Sequence, residues 1–151
     1  GNDKAIYAYA REELNYWQSE LSRPLASGCF GENLTTQGVD LSALLINQRL
    51  RIGTAVLEVS VPRQPCSTFA GWLGERGWLK RWTARGDCGT YLRIISPGRI
   101  QPGDCITMDA PPNHDITMRI AFAAKMGNRT LAQRVIEAGC LPPHQNNSLR
   151  A

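Results

Sequence analysis

The sequence predicts a mainly β domain, a small β-barrel with interspersed helices and a short helical appendage at its C-terminal end. Three observations lead to this fold class. Every second residue over 55–61 is apolar, which is the period of a half-buried strand. Short β-prone runs separated by Pro-Gly turns recur over 90–109. After Pro111-Pro112 the pattern changes to that of short helices.

The first part of the chain predicts one strand, one helix and one long loop. Residues 4–9 alternate enough for a strand. Residues 11–21 place three large apolar side chains on one helical face, and the Ser-Arg-Pro run at 22–24 ends that helix. Residues 28–47 are rich in glycine and small polar residues, so they predict a loop.

The middle of the chain predicts a hairpin. Residues 50–52 alternate, Gly53-Thr54 forms a turn, and the strand over 55–61 follows. Pro62 and Pro65 end this strand, because a proline has no N–H to donate to a neighbouring strand.

The remaining elements predicted are a helix broken by glycines at 67–86, strands at 90–95 and 105–109, and helices at 116–126 and 130–138. The tail from Pro142 predicts no regular structure.

Length and composition limit the class of protein. The chain has 151 residues, of which 42% are hydrophobic and 20% are charged. These values suit one globular domain with a real core and exclude intrinsic disorder for most of the chain. No apolar run approaches the roughly 20 residues of a membrane helix, and the first residues do not form a signal peptide. Five cysteines without a C-x-x-C pair argue against a disulfide framework or a zinc site. We therefore expect a soluble, cytoplasmic protein without a membrane partner.

The segment at 59–66 is the most informative candidate for chemistry. A strand leaves the sheet, two prolines stiffen its exit, and Cys66 follows three residues after Arg63. A nearby guanidinium favours the thiolate, which is the form that acts as a nucleophile or as a soft metal ligand. The alternative is that Cys66 is a small buried hydrophobic residue, since free cysteines are among the most buried residue types. These residues by themselves favour the buried alternative.

The glycine-rich stretch at 28–38 is a second candidate. Its glycines allow backbone N–H groups to turn toward an anion, as in phosphate-binding nests. Asn33, Thr35 and Thr36 add neutral donors and acceptors. An ordinary connecting loop has the same composition, because Gly, Asn and Thr are common in turns. Composition alone favours the ordinary loop.

Basic and aromatic residues interleave over 72–85, which raises a different function class. The formal net charge of +4 favours an anionic ligand, and such a pattern can bind single-stranded nucleic acid. However, Trp78 and Trp82 are one helical turn apart, and aromatic residues at that spacing usually face a core. A nucleic-acid-binding barrel is therefore a weak alternative.

Several blocks of sequence, taken in order, resemble a known family. The blocks are FGENLTTQG at 30–38, RIGTAVLEVS at 51–60 leading into PRQPC at 62–66, GTYLR at 89–93 and PGD at 102–104. This succession resembles the MOSC domain, the module named for the C-terminal part of molybdenum cofactor sulfurases. It is most similar to the stand-alone bacterial YiiM-type subfamily. The similarity runs from about Asp3 to about Pro143.

The resemblance implies two segments, a MOSC β-barrel at 1–112 and part of a three-helix appendage at 113–151. Fuller family members carry a substantial N-terminal portion that ends in His-Gly-Gly. We therefore expect a fragment or a divergent short relative that lacks barrel strands, with its third appended helix reduced to 142–151. Missing strands would expose sheet edges.

The resemblance also implies a bound molybdenum cofactor (molybdopterin), or sulfur carried for it. Cys66 matches the family cysteine, which is the thiolate ligand of molybdenum in the oxidoreductases and would be the catalytic residue here. The residues that match cofactor-contacting positions are Arg63, Arg93, Gly31, Glu32, Asn33 and Lys4. The alternatives are structural ion pairs for the two arginines, a backbone cap for Glu32 and a solvated surface position for Lys4.

The function implied by the resemblance is reduction of N-hydroxylated compounds such as hydroxylaminopurines. Electrons would come from a separate flavin or iron–sulfur partner, since no motif for either group occurs in this chain. Pyridoxal phosphate binding is implied only at the level of the whole family, and a homodimer is also expected. The alternative is a carrier or cofactor-binding module without turnover, in which Cys66 bears a persulfide.

Overall fold

The fold is built on one curled, six-stranded sheet. The structure is a computed structural model, and it describes residues 2–150. The strands are β1 (Ile6–Ala10), β2 (Leu34–Thr36), β3 (Arg49–Ile52), β4 (Ala55–Val59), β5 (Thr90–Ser96) and β6 (Ile106–Met108). They lie in the order β2-β1-β5-β4-β3-β6, and β1 and β2 are parallel while the other pairs are antiparallel. The sheet forms a half-barrel with β2 and β6 at its edges.

Helices occupy more of the chain than strands do, at 38% against 19%. They are α1 (Arg11–Leu21), α2 (Ser67–Leu73), α3 (Trp78–Arg85), α4 (Met118–Lys125), α5 (Arg129–Ala138) and α6 (Pro143–Ser148), with short 3-10 helices at Asn2–Lys4 and Leu41–Ala43. The prediction of a mainly β barrel is therefore confirmed only in part. None of these helices has both the length and the apolar character that crossing a bilayer requires.

Most of the predicted elements are present, with shifts at their ends. The helix over 11–21 begins and ends where the sequence predicts, whereas the strand predicted at 4–9 begins only at Ile6. Glycines in the left-handed region at 74 and 77 divide the helix predicted over 67–86 into α2 and α3. The prediction of a loose tail is wrong, because α6 forms there with Pro143 in its first turn, where the missing N–H costs nothing.

Aromatic rings connect the helices to the loop before β2. Phe30 lies 5.0 Å from Phe69 on α2, and Phe69 lies 5.1 Å from Trp82 on α3, between ring centroids. Trp82 in turn lies 5.5 Å from Phe122 on α4. Trp78 and Trp82 are fully buried, which confirms that they face the core. Two of the aromatic residues behind the nucleic-acid alternative are thus unavailable for stacking on bases.

The topology brings the glycine-rich loop at 28–38 and the cysteine segment at 59–66 to the start of β1. Because β1 and β2 are parallel, α1 and the loop after it must return to the beginning of β1. There the backbone N–H of Asn33 donates to the carbonyl of Tyr7, and the backbone N–H of Tyr7 donates to the side-chain Oδ1 of Asn33, both at 2.8 Å. The chain after β4 continues beside β5, where Ser60 and Val61 pair with the backbone of Tyr91. The site therefore forms around Tyr7 and Tyr91.

Candidate functional site

Cys66 is exposed at the point where the extended segment after β4 enters α2. Its backbone is extended, with φ −142° and ψ 163°, and its carbonyl accepts a hydrogen bond from the N–H of Ala70 at 3.1 Å. The thiol makes no capping bond to the helix, so it is free to react or to ligate. The alternative of a buried hydrophobic Cys66 is wrong. Prolines at 62 and 65 hold this segment out of the sheet ladder, which presents the thiol to solvent.

Arg63 precedes Cys66 by three residues and is buried. Its Nη1 donates to the carbonyl of Phe30, and its guanidinium carbon lies 4.1 Å from the ring centroid of Phe69 and 4.7 Å from that of Tyr7. No carboxylate of the described chain lies within 4.0 Å of its nitrogens. The rings stabilise the charge in part through their π faces. Arg63 thus holds the loop against α2 and keeps an unneutralised positive charge under the site.

Tyr91 is the side chain around which three predicted site residues meet. Its ring lies 5.2 Å from that of Tyr7, and the Lys4 ammonium lies 5.5 Å from its centroid on another side. Partial burial raises the pKa of the Tyr91 phenol, while the charge of Arg63 lowers it and that of an ionised Cys66 raises it. Tyr91 is thus near Arg63 and Cys66 electrostatically, and it contacts Lys4 through its ring.

Lys125, at the end of α4, brings a second ammonium group to this neighbourhood. Burial lowers the pKa of Lys125 first, and the positive charge of Lys4 lowers it further. Its Nζ donates to the Ser148 hydroxyl at 2.6 Å. Two lysines that repel each other are stabilised by an anion between them. Sequence reasoning missed Lys125, because a lysine in a last helical turn is also the ordinary complement of the helix dipole.

The loop residues Glu32 and Asn33 are engaged with the protein itself. Glu32 is buried, and its two oxygens accept hydrogen bonds of 3.0 Å from the N–H of Phe30 and the hydroxyl of Thr35. Asn33 accepts from the backbone of Tyr7, as described above. Both side chains therefore shape the loop, and their contact with a cofactor remains a prediction.

Gly31 is the exposed turn of the same loop. Its φ is +83°, a region that favours glycine, and a Cβ there would lie 2.8 Å from the indole of Trp72. Trp72 is itself 57% exposed beside the loop. The loop can thus bring backbone close to a ligand only because residue 31 has no side chain.

Arg93 has carboxylate partners, unlike Arg63. It forms ion pairs with Asp3 at 3.0 Å and with Glu58, and it donates to the Asn47 side chain at 3.1 Å. These contacts tie the first turn of the chain to β4. They match the structural alternative considered for this residue, and its role as a cofactor contact remains a prediction.

Cys88, a second cysteine near Tyr7, is less reactive than an exposed thiol such as that of Cys66. Cys88 is buried, and burial raises the pKa of its thiol to about 12. Its carbonyl accepts a hydrogen bond of 2.6 Å from the hydroxyl of Tyr7. Among the residues that the structure describes, no three His, Cys, Asp or Glu side chains gather closely enough to hold a metal ion. Any metal at Cys66 would therefore need to bring most of its other ligands with it.

Comparison with known proteins gives consistent matches. The model of the MOSC domain matches residues 1–107. YflK of Bacillus subtilis is 39% identical over 144 residues, which are 93% of this chain and 65% of that protein. A reductase of Gibberella moniliformis is 30% identical over 113 residues, 72% of this chain and 20% of that protein. The crystal structure of YiiM from Geobacillus stearothermophilus superposes with a TM-score of 0.87 and 28% identity, covering 99% of this chain and 78% of that one.

Proposed function

The chain belongs to the MOSC domain family, and on that premise we propose that it binds the molybdenum cofactor and reduces N-hydroxylated compounds of the hydroxylaminopurine type. The observation that carries the proposal is the exposed thiol of Cys66, which makes no capping bond and follows the buried Arg63 by three residues. The similarity to a reductase supports the reaction class, although that match covers only a fifth of the relative. The chain spans about two thirds of YflK, so the activity of the whole protein is part of the proposal.

The residues present fit this cofactor. One accessible thiolate is what the protein needs to supply to a metal that brings its own sulfur ligands, and no closed set of protein ligands is required. A cofactor phosphate would be held by the ammonium group of Lys4, whose positive charge also lowers the pKa of Lys125. The turn at Gly31 leaves backbone accessible next to Trp72.

The chain's own groups would prepare and orient the reaction. Bound molybdenum supplies the two-electron redox chemistry. Cys66 would supply the ligating thiolate from its exposed position at the start of α2. The partly exposed ring of Tyr91 offers a flat surface beside that thiolate, on which a planar heterocycle can stack. Electrons would come from a separate flavin or iron–sulfur partner, and the reaction would take place in the cytoplasm.

The experiment compares molybdenum and pterin content in three purified forms of the chain, from a host that makes the cofactor. These are the natural sequence, Cys66→Ser and the control Cys105→Ser, which removes another exposed thiol. We expect molybdenum in the natural sequence and in Cys105→Ser, and a loss of about tenfold or more in Cys66→Ser, because a hydroxyl is a poor ligand for this soft site. Equal molybdenum in Cys66→Ser and the control would contradict the proposal.

A second candidate is a sulfur carrier without turnover, and the same exposed thiol favours it. An exposed thiol can attack the outer sulfur of a donor's persulfide, which forms a persulfide on Cys66 and releases the donor's thiol. Mass spectrometry after incubation with a cysteine desulfurase distinguishes the two. A carrier shows one added sulfur on Cys66 and none in Cys66→Ser, whereas the reductase is active without it.

A further inference from the structure

A cavity of about 370 Å³ lies beyond the other end of β1 from Tyr7. Its walls come from the end of β1, the start of α1, the loop after β2, the end of α3 and the start of α4. None of the residues proposed above to hold the cofactor lines it. Its volume lies within the range of ordinary ligand pockets. Four carboxylates and two guanidinium groups line it, so its formal charge is negative.

Most of these charges are already matched within the protein. Glu13 and Arg85 form a two-pronged ion pair with bonds of 3.1 and 2.9 Å. Glu12 accepts a backbone N–H of the facing loop at 2.7 Å. Asp40 caps the short 3-10 helix by accepting from the N–H and the hydroxyl of Ser42. These three carboxylates are therefore engaged without a ligand.

Asp87 is the exception among the carboxylates. Only 6% of the residue is exposed, and one of its oxygens accepts a single bond of 3.3 Å from the N–H of Gly89. Within the described chain its second oxygen has no hydrogen-bond partner, and no basic nitrogen lies within 4.0 Å. Buried charged groups are normally paired, because an unpaired charge is costly away from water. The unpartnered oxygen of Asp87 is not among the fully buried polar atoms, so it opens onto the cavity, where a cation can reach it.

Arg119 is the exception among the guanidinium groups. It donates to the carbonyl of Arg85 at 3.3 Å and to the hydroxyl of Ser42 at 3.4 Å, both neutral acceptors at long distance. Among the described residues it has no carboxylate within 4.0 Å. The charge of Arg119 lowers the pKa of Asp87, although the two groups do not come within the 4.0 Å of an ion pair. Arg119 is exposed, so a ligand carboxylate that enters the cavity can reach it while the other end of the ligand reaches Asp87.

We propose that this cavity binds a small zwitterion, an amino-carboxylic acid whose ammonium group lies on Asp87 and whose carboxylate lies on Arg119. Hydrogen bonds between two charged groups are about twice as strong as neutral ones, and the two ends of such a ligand would each form one. The cavity acids do not gather in a group that could hold a metal ion. An organic ammonium needs only one carboxylate partner, so it fits Asp87 better than a metal ion does. The proposal is independent of the reaction at Cys66.

The first test is calorimetric titration with matched probes. The panel runs from glycine to 6-aminohexanoate, and each member is compared with the alkylamine and the alkanoate that carry one of its two charged ends. We expect one chain length to bind best and both of its single-ended analogues to bind at least about tenfold more weakly. Absence of binding up to about 10 mM for the whole panel, or an alkylamine that binds as well as the zwitterion, would overturn the proposal.

The second test uses variants and pH. Asp87→Asn and Arg119→Gln should each weaken the best probe by about tenfold or more, whereas Glu137→Gln, on the exposed face of α5, should leave it unchanged. Equal affinity in all three variants would refute the site.

The pH dependence of binding to the unsubstituted chain tests Asp87 even if a variant does not fold. The pKa of Asp87 is raised to about 6, by burial first, by the charge of Glu13 second and by that of Asp40 to a smaller extent, while the hydrogen bond from Gly89 and the charge of Arg119 oppose the shift. Because an ammonium binds the ionised carboxylate, affinity of the natural chain should be constant above about pH 7 and fall about tenfold per pH unit below pH 6. A flat profile between pH 5 and pH 7 would count against Asp87 as the contact.

Discussion

Arg93 occupies a family motif position, and yet its guanidinium is already held by Asp3, Glu58 and Asn47. We expect Arg93→Gln to lower the free energy of unfolding by about 1–3 kcal/mol, because it leaves the largely buried Glu58 carboxylate poorly matched. The control is Arg49→Gln, which removes a half-exposed partner of the same carboxylate and should cost less than about 1 kcal/mol. Urea denaturation measures both. If Arg93→Gln lost molybdenum without losing stability, its role would be cofactor binding.

Single residues differ in how far the sequence predicts them. The motif singles out Cys66 as the candidate site cysteine, its exposure agrees with that prediction, and the two prolines before it are a local reason for the exposure. The partners of Arg63 could not be predicted, because Phe30 and Tyr7 come from distant parts of the chain. Lys125 was missed for the same reason, since only the folded chain brings α4 near Lys4.

At the scale of one element, the loop between α1 and β2 depends on a glycine. Gly31→Ala requires both a positive φ for alanine and a shift of Trp72, whose indole would lie 2.8 Å from the new Cβ. Gly28→Ala is the matched control, since its φ is +92° and the space around it is open. We expect about 1 kcal/mol of destabilisation for Gly28→Ala from backbone strain and about 1 kcal/mol more for Gly31→Ala. Thermal unfolding and tryptophan fluorescence measure the two effects.

The double variant Gly31→Ala with Trp72→Ala separates these contributions. Compared with Trp72→Ala alone, it should lower stability by no more than Gly28→Ala does in the unsubstituted chain, because only the backbone strain is then left. If Gly31→Ala and Gly28→Ala were equally stable with Trp72 present, the contact with the indole would have no energetic weight.

Elements with a clear apolar period were predicted well, and elements without one were not. The three apolar residues of α1 determine its length and its buried face in isolation. The six residues of α6 are mostly polar, so their sequence carries no helical pattern, and the helix forms where the Ser148 hydroxyl meets Lys125. The two-stranded pairing of β1 with β5 joins residues far apart in sequence and has no local signal either.

At the scale of the whole molecule, one row of side chains crosses four strands of the sheet. The strand register places Met108, Leu50, Leu57 and Ile94 side by side. The inner two are 1% exposed, whereas Met108 and Ile94 are 47% and 48% exposed. The core of the half-barrel is therefore open at both ends of this row, and exposed apolar ends favour association.

We expect the pair of substitutions Ile94→Thr and Met108→Thr to reduce concentration-dependent association while changing the free energy of unfolding by only about 0.5 kcal/mol. Leu57→Ala, in the buried part of the same row, should instead cost about 2–5 kcal/mol. Sedimentation velocity over a range of concentrations measures association. Unchanged association in the threonine pair would show that the open ends of the row are not where chains meet, including in the expected homodimer.

The buried guanidinium of Arg63 has a spectroscopic consequence. It touches the loop before β2, the first strand and the helix after Cys66, through Phe30, Tyr7 and Phe69. Protection from hydrogen exchange reports how often a group opens to water. The side-chain N–H signal of Arg63 should therefore persist in NMR spectra at pH values where the signals of surface arginines have exchanged away. The persistence of that signal therefore reports whether loop, strand and helix are packed together, and it can be measured before any metal or substrate is added.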